Sequence, residues 1–195
     1  SWLKADKKVP PTFREPDEVV PAVLTVISPK PDSAAARVAV RGVAHNSPDF
    51  AASMVFASIL EARLKSRIAA EFAASLFVQN NVHALPGSLV IGFALGKGDA
   101  GPEHGKMDVR EIVAKAIADP VSEAEFQSAK AIFKSQWSKR DTPSFWLDID
   151  TYRLSGLDAY MKSAETVTLN SVSAYAEKLR KLPLAAIILS NPPTK

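Results

Sequence analysis

The stretch NSPDFAASMVFASILEARLKSR, residues 46–67, contains the longest apolar-periodic segment of the chain, and the other elements are placed around it. Ser47 is a favoured N-cap, Pro48 suits the first position of a helix, and Asp49 complements the helix dipole. The apolar side chains then recur at helical spacing, at Phe50, Met54, Val55, Ile59, Leu60 and Leu64. This pattern predicts a helix from about Pro48 to about Ala70.

Strand-like runs lie on both sides of this helix. Residues 22–27 and 36–40 are rich in β-branched side chains and are separated by Pro and Asp turn signals. Residues 76–82 and 88–95 predict a hairpin that turns around Pro86-Gly87. With a last strand over residues 185–189, the pattern predicts an α+β fold, a two-layer sandwich whose mainly antiparallel sheet has helices packed on one face.

Four further helices are predicted in the second half of the chain. The first spans Met107–Ala118, and Ser122 with Glu125 forms a capping box that starts the second. The buried face predicted for the second helix consists of Phe126, Ala129, Ile132, Phe133 and Trp137. Pro143 and Ser144 introduce a third helix through Trp146, Ile149 and Tyr152, and residues 169–182 form the fourth. The predicted order is β-β-α-β-β-α-α-α-α-β.

Composition favours an ordinary globular domain. The chain has 195 residues, 47% hydrophobic and 23% charged, with no cysteine and a formal charge of +3. The basic runs at residues 138–140 and 178–181 have no accompanying stacking aromatics, so they indicate solvated helix faces rather than a nucleic-acid site. No apolar stretch is long enough to predict a membrane span.

Prolines concentrate at the start of the chain. Six of the 14 fall at positions 10, 11, 16, 21, 29 and 31, so residues 1–20 are predicted to be an extended linker and residues 21–195 a single domain. A chain that begins at Ser1 is typical of a fragment or a processed protein, and the linker suggests an upstream attachment.

The histidines do not have the spacing of a zinc helix. An HxxEH or HExxH motif places two imidazoles one helical turn apart, so that both reach one ion. The residues three after His45, His83 and His104 are Pro48, Pro86 and Met107. We therefore predict no metal ligands and interpret His45 and His83 as loop or strand-end residues.

Other motifs that carry chemistry are incomplete or absent. Gly96, Gly98 and Gly101 follow a predicted strand, but a dinucleotide site needs such glycines to open a helix directly, and Pro102 intervenes. No Walker lysine motif and no Gly-x-Ser-x-Gly elbow occur. The acids at 123, 125 and 148 are expected at helix starts or exposed positions, and the aromatics at 126, 133 and 137 in the core. The sequence therefore predicts no catalytic, cofactor-binding or metal residue.

Several motifs together resemble a known family. The runs Pro48-Asp49-Phe50, Ile59-Leu60 and Arg63–Arg67, then Val121–Glu125 with Ala129-Lys130, match its helices in order. Residues 154–158, 167–172 and 187–192 continue the match, which covers about 22–192. The chain resembles the C-terminal, zinc-free half of pitrilysin/insulinase-type (inverzincin) peptidases, and is similar to bacterial relatives of the mitochondrial processing peptidase.

This resemblance implies that the chain completes an enzyme rather than being an enzyme by itself. In the family, a separate N-terminal domain of similar fold carries HxxEH and zinc, and the two halves enclose an unfolded peptide in a clamshell cavity. The expected partners are a zinc-bearing domain or subunit and an extended peptide, with a homo- or heterodimer as the assembly. Zinc is expected only in the partner, and the periplasm is favoured over the cytoplasm because many bacterial relatives are exported.

The resemblance also implies that this chain is inactive by itself. Some family members supply an arginine and a tyrosine from the C-terminal half, and the counterpart segment here has Ala70, Ala74 and Phe77. The hairpin of residues 76–95 is the expected peptide-binding wall. The alternative is a structural or assembly module, as in core subunits of respiratory complexes that share the fold. A nucleotide-binding protein is the third hypothesis.

Overall fold

Residues 20–27, 34–68, 70–95 and 109–190 are described by the structure, a computed structural model. Their strands are β1 Val23–Ile27, β2 Ala35–Arg41, β3 Phe77–Asn81, β4 Ser88–Ala94 and β5 Ala185–Ser190. They form one sheet in the order β1-β5-β2-β4-β3. The β1–β5 pair is parallel, whereas β5–β2, β2–β4 and β4–β3 are antiparallel, so the predicted mainly antiparallel sheet is confirmed.

The helices within the described residues belong to an α+β fold, as predicted. They are α1 Phe50–Arg67, α2 Ala70–Ala73, α3 Val109–Ala118, α4 Glu123–Ser138, α5 Thr142–Tyr152, α6 Leu157–Met161, α7 Ser163–Thr166 and α8 Leu169–Arg180. The short helices α2, α6 and α7 were not predicted, because segments of four or five residues carry too little periodicity to be recognised. None of the described helices is long and apolar enough to cross a bilayer.

One face of the central strands β2 and β4 is buried under the helices, whereas the edge strand β1 is exposed along its whole length. In β2 the side chains of Ala36, Val38 and Val40 are buried, whereas Arg37 between them is exposed. Because residues paired across antiparallel strands share a face, the β4 partners of these three residues, Phe93, Ile91 and Leu89, belong to the same core. The predicted packing of helices on one face is therefore confirmed.

Helix α1 lies at the centre of the core. It contacts β3 of the sheet and the helices α3, α4 and α8, so apolar side chains are buried on most of its circumference. The helix begins at Phe50 with Asp49 as its N-cap, rather than at Pro48 with Ser47 as its cap. The carbonyl of Ser47 instead accepts from Phe50 N at 3.0 Å, and its Oγ accepts from Asp49 N at 3.2 Å. Ser47 therefore stabilises a turn that precedes the helix.

The capping box of α4 is confirmed, but its buried face is narrower than predicted. Ser122 Oγ accepts from Glu125 N, and the Glu125 side chain accepts from Ser122 N. Phe126, Ala129, Phe133 and Trp137 are buried at spacings of three, four and four, whereas Ile132 is 47% exposed because it lies beside that stripe. In α5 the buried aromatic is Phe145, and Trp146 is 55% exposed.

Arg63 joins α1 to the start of α4. Its side chain is 5% exposed and donates to both carboxylate oxygens of Glu125, at 2.6 and 3.0 Å. It also donates to the backbone carbonyls of Ala116, Asp119 and Pro120 at 2.8–3.0 Å, so one guanidinium binds the whole α3–α4 connection. Two of the motifs that carried the family resemblance, Arg63–Arg67 and Val121–Glu125, thus meet in this ion pair.

We expect this pair to make stability depend on pH. Hydrogen bonds from Arg63 lower the pKa of Glu125 from 4.5 to about 2, against the opposing effect of burial. A carboxyl whose folded-state pKa is depressed stabilises the fold above its unfolded pKa, and this contribution is lost as pH falls from about 4.5 towards 2. The free energy of unfolding in urea should therefore be higher for the wild type than for Glu125→Gln at pH 7, and this difference should be smaller at pH 3. A difference that stays constant would contradict the assignment.

The predicted linker, residues 1–20, lies outside the described residues except for Val20, and the glycines at 96, 98 and 101 lie outside them as well. The predicted domain boundary at residue 21 therefore stays a prediction.

Candidate functional site

The face of the sheet opposite the helices carries an apolar surface, which we call the outer patch and define as Leu24, Val26, Ile187 and Leu189. Leu24 pairs with Ile187 and Val26 with Leu189 in the parallel register, so all four share the face of the exposed Arg37, which pairs with Ile187. The exposed fractions are 57% for Leu24, 41% for Val26 and 49% for Ile187. Exposed apolar side chains that cluster in this way are typical of interaction surfaces.

Arg37 and Phe77 meet on this outer face across a glycine. The guanidinium carbon of Arg37 lies 4.8 Å from the ring centroid of Phe77, in a cation–π contact. Gly92, on the strand between them, makes room, because a Cβ there would lie 2.5 Å from Arg37 Cδ and 2.6 Å from Phe77 Cζ. The segment matched to the family's arginine and tyrosine thus has an exposed Ala70 in α2, and a Phe77 that contacts an arginine from β2.

A cavity of about 430 Å³ opens at the other side of the hairpin, beside the start of α1 and the end of α4. The residues that line it include His45, Asn80, His83, Trp137, Arg140, Asp148 and Tyr152. The backbone brings the two histidines together, since His45 N donates to the His83 carbonyl at 2.8 Å. His83 forms an isolated bridge with Ala44, and His45 lies in the turn that follows Ala44, so both histidines are in loops, as predicted.

A hydrogen-bond network forms one wall of this cavity. Tyr160 Oη donates to Asp148 Oδ2 at 2.7 Å, and Arg140 donates to the same oxygen at 2.6 Å. His45 Nε2 lies 2.5 Å from Tyr160 Oη, and the His45 ring stacks between Tyr152 at 4.1 Å and Phe50 at 4.4 Å. Since the Tyr160 hydrogen goes to Asp148, His45 Nε2 is the donor to Tyr160.

Burial controls the protonation of this network. The pKa of His45 is lowered by burial and by the positive charge of Arg140, and the Asp148 carboxylate only partly offsets these effects. Burial, followed by the hydrogen bond to Asp148, raises the pKa of Tyr160. His45 is therefore neutral at pH 7, and its 3.9 Å approach to Asp148 is not an ion pair between charged groups.

Asp148 differs from the prediction. It was expected at a helix start or an exposed position, but it lies within α5 and its side chain is 16% exposed. The reason is tertiary, because α6 brings Tyr160 to Asp148 and the short connection between α4 and α5 brings Arg140. The aromatics Phe126, Phe133 and Trp137 are buried in the core as predicted.

The described part of the chain contains no cluster of metal-ligating side chains. Within residues 20–27, 34–68, 70–95 and 109–190, no three His, Asp or Glu side chains are grouped so that they could hold a metal ion. His104 lies outside these ranges.

No family model and no curated protein matches the sequence. Among solved structures, the chain is similar to a peptidase M16 inactive domain from Pseudomonas fluorescens, with a TM-score of 0.72 and 16% identity over 93% of this chain and 46% of that one. A protease from Helicobacter pylori has a TM-score of 0.65 and 12% identity over 88% and 44% of the two chains. A chain of complex III2 from Candida albicans has a TM-score of 0.63 and 15% identity over 88% and 46%.

The chain spans less than half the length of each of these three structures. At such low identity the likeness concerns the fold. The fold expected from the sequence motifs is thereby confirmed: this chain has the fold of M16 peptidase domains, among them one described as inactive.

Proposed function

We propose that this chain is a non-catalytic domain of an M16-type zinc peptidase, which helps to enclose an extended peptide opposite a separate zinc-bearing domain. The observation that carries the proposal is the outer patch, an apolar strand surface that the described helices leave open. The likeness to an inactive M16 domain and the short span relative to M16 chains support the same role. We further propose a periplasmic location.

The sheet offers an extended peptide two kinds of contact. The strands β1 and β3 are the two edges of the described sheet, so their outward backbone groups pair with no other described strand, which suits the addition of a peptide strand. The side chains of the outer patch provide apolar contact that is independent of peptide sequence. This combination suits an unfolded substrate held without sequence-specific pockets.

The outer patch can be tested by substitution. We expect Leu24→Glu with Ile187→Glu to reduce binding of a fluorescein-labelled, chemically unfolded protein at least tenfold in fluorescence anisotropy, because two charges would replace apolar contacts. Both positions are exposed, so the melting temperature should change little. Ile132→Glu with Leu147→Glu is the matched control, since these side chains are 47% and 67% exposed on helices. Equal loss in both double variants would refute a binding role for the patch.

The expectation that this chain binds no zinc by itself has its own test. Isothermal titration of the isolated chain with Zn²⁺ should show no tight stoichiometric binding, and the chain alone should cleave no unfolded substrate. Tight binding of one zinc ion per chain would contradict the proposal.

A structural or assembly role is the second candidate, and its support is the likeness to a chain of complex III2. The two roles differ in the partner. If the domain or subunit that pairs with this chain contains HxxEH, the peptidase role is favoured. A partner that also lacks HxxEH, together with unchanged anisotropy of the unfolded probe, would favour assembly.

A further inference from the structure

Strand β1 exposes apolar side chains on both faces of the sheet. On the outer face these are Leu24 and Val26, which belong to the outer patch. Val23 and Ile27 pair with buried residues of β5, so they lie on the side that the helices cover in the central strands. Their exposed fractions are nevertheless 47% and 63%. The described helices therefore leave β1 uncovered.

The backbone edge of β1 also lacks the features that protect an edge strand. Edge strands usually carry charged side chains, proline or a β-bulge, because an open apolar edge pairs with other chains. Val23–Ile27 contains no charged residue and no proline, and its register with β5 is continuous. The opposite edge of the described sheet, β3, carries the polar run Gln79-Asn80-Asn81 instead. Of the two edges, β1 is therefore the one that suits pairing with another apolar strand.

A second copy of β1 has the complementary pattern. Antiparallel pairing centred on Thr25 places Val23 opposite Ile27 of the second copy, and the residues directly opposite each other share a face. Leu24 is then opposite Val26 of the second copy on the other face. Apolar side chains meet apolar side chains on both faces, and no like charges meet because the strand is uncharged. An arbitrary unfolded peptide would place polar or charged residues against some of these positions.

The position of the helices permits this pairing. The two-fold axis of an antiparallel strand pair is perpendicular to the sheet, so the helices of both copies would lie on the same side. Because the described helices leave β1 uncovered, two β1 strands would separate the two helix layers. On the opposite side, the outer patches of the two copies would join into one apolar surface across the axis.

We propose that two copies of this chain associate through β1, in antiparallel register centred on Thr25, so that their sheets become one continuous sheet. The interface is isologous, as in most soluble dimers. Five residues a side make it smaller than the standard interface of about 1,600 Å², so the dimer should depend on concentration. This inference does not rest on the peptidase role. It leaves β3 as the edge for a peptide strand, and its tests contain no peptide.

Disulfide cross-linking of the full chain tests the register. The sequence has no cysteine, so a single introduced cysteine has only its copy in a second chain to react with. Thr25→Cys places two thiols directly opposite each other on the axis, with Cβ atoms about 4.5–5.5 Å apart, close to the separation in a disulfide. In a glutathione redox buffer, Thr25→Cys should form a covalent dimer roughly tenfold faster than Leu24→Cys, whose thiols are diagonal to each other. Equal rates for the two variants would contradict the register.

Sedimentation velocity over a series of concentrations tests the association itself. The wild type should show a monomer–dimer equilibrium, and Thr25→Lys should weaken it at least about tenfold, because two ammonium groups would meet on the axis. Leu147→Lys is the matched control, since Leu147 is 67% exposed on α5, and it should associate as the wild type does. A wild type that stays monomeric at its highest soluble concentration would overturn the proposal, and so would equal association of Thr25→Lys and the wild type.

Discussion

Replacing Arg63 with alanine should lower the free energy of unfolding by about 3 kcal/mol, which is a large share of the stability of an ordinary domain. The substitution leaves the Glu125 carboxylate and the carbonyls of Ala116, Asp119 and Pro120 without their donor. Removing one partner of a buried ion pair typically costs about 3–5 kcal/mol. The lower end applies because the Glu125 side chain is 32% exposed.

Urea unfolding followed by circular dichroism at pH 7 measures this effect. Arg67→Ala is the control, because Arg67 lies one turn further along α1 and pairs with Asp119 at the surface. An exposed ion pair contributes at most about 1 kcal/mol, so this variant should stay close to the wild type. Equal destabilisation of the two variants would show that the buried network has no special role.

Substitution of Gly87 by alanine should cost about 2–3 kcal/mol, as overpacking does at positions where the backbone has to move. A Cβ at this position would overlap the carbonyl oxygen of Asn81 and lie 2.9 Å from its carbonyl carbon. Both Asn81 atoms belong to the backbone, so no side-chain rotation relieves the contact. The shift would also disturb the hydrogen bonds of Gly87 with Gly42 and Val43 at 2.9 and 3.3 Å.

Gly156→Ala provides the comparison for this prediction. No heavy atom lies within 4 Å of a Cβ built on Gly156, and its φ of 167° is extended backbone that any residue adopts. This variant should change the free energy of unfolding by less than about 0.5 kcal/mol. If Gly87→Ala changed the free energy of unfolding as little as Gly156→Ala does, in both thermal and urea unfolding, the result would contradict the close contact between Gly87 and the Asn81 backbone.

Most elements of the fold could be predicted because their signals are local. The alternating side chains of β2 and the capping box of Ser122 and Glu125 depend on neighbours within a few residues. The position of β5 between β1 and β2 was not predictable in the same way. Strand β5 lies some 150 residues after β1 and β2 in the sequence, so its position between them depends on long-range packing. The residues of β5 alone do not indicate that position.

The candidate sites show the same division. The absence of a zinc helix followed from the spacing of three histidines, and the hairpin that carries Phe77 and Asn80 was predicted from its turn. The cavity was not predicted, since His45, Asn80 and Asp148 are far apart in sequence and each has an ordinary local setting. The sequence did indicate that Asp148 is partly buried, because it lies in α5 one turn from Phe145 and one turn from Tyr152. That spacing does not show which residues Asp148 contacts.

The sequence by itself determined which segments become helices and strands, and that no histidine pair has the spacing of a zinc helix. These properties depend on side chains within one or two turns of each other. Tertiary structure alone decided that Arg63 meets Glu125, that Asp148 is shielded, and that the described helices leave β1 uncovered. Those outcomes depend on distances between residues brought together by packing, such as the 62 positions that separate Arg63 from Glu125.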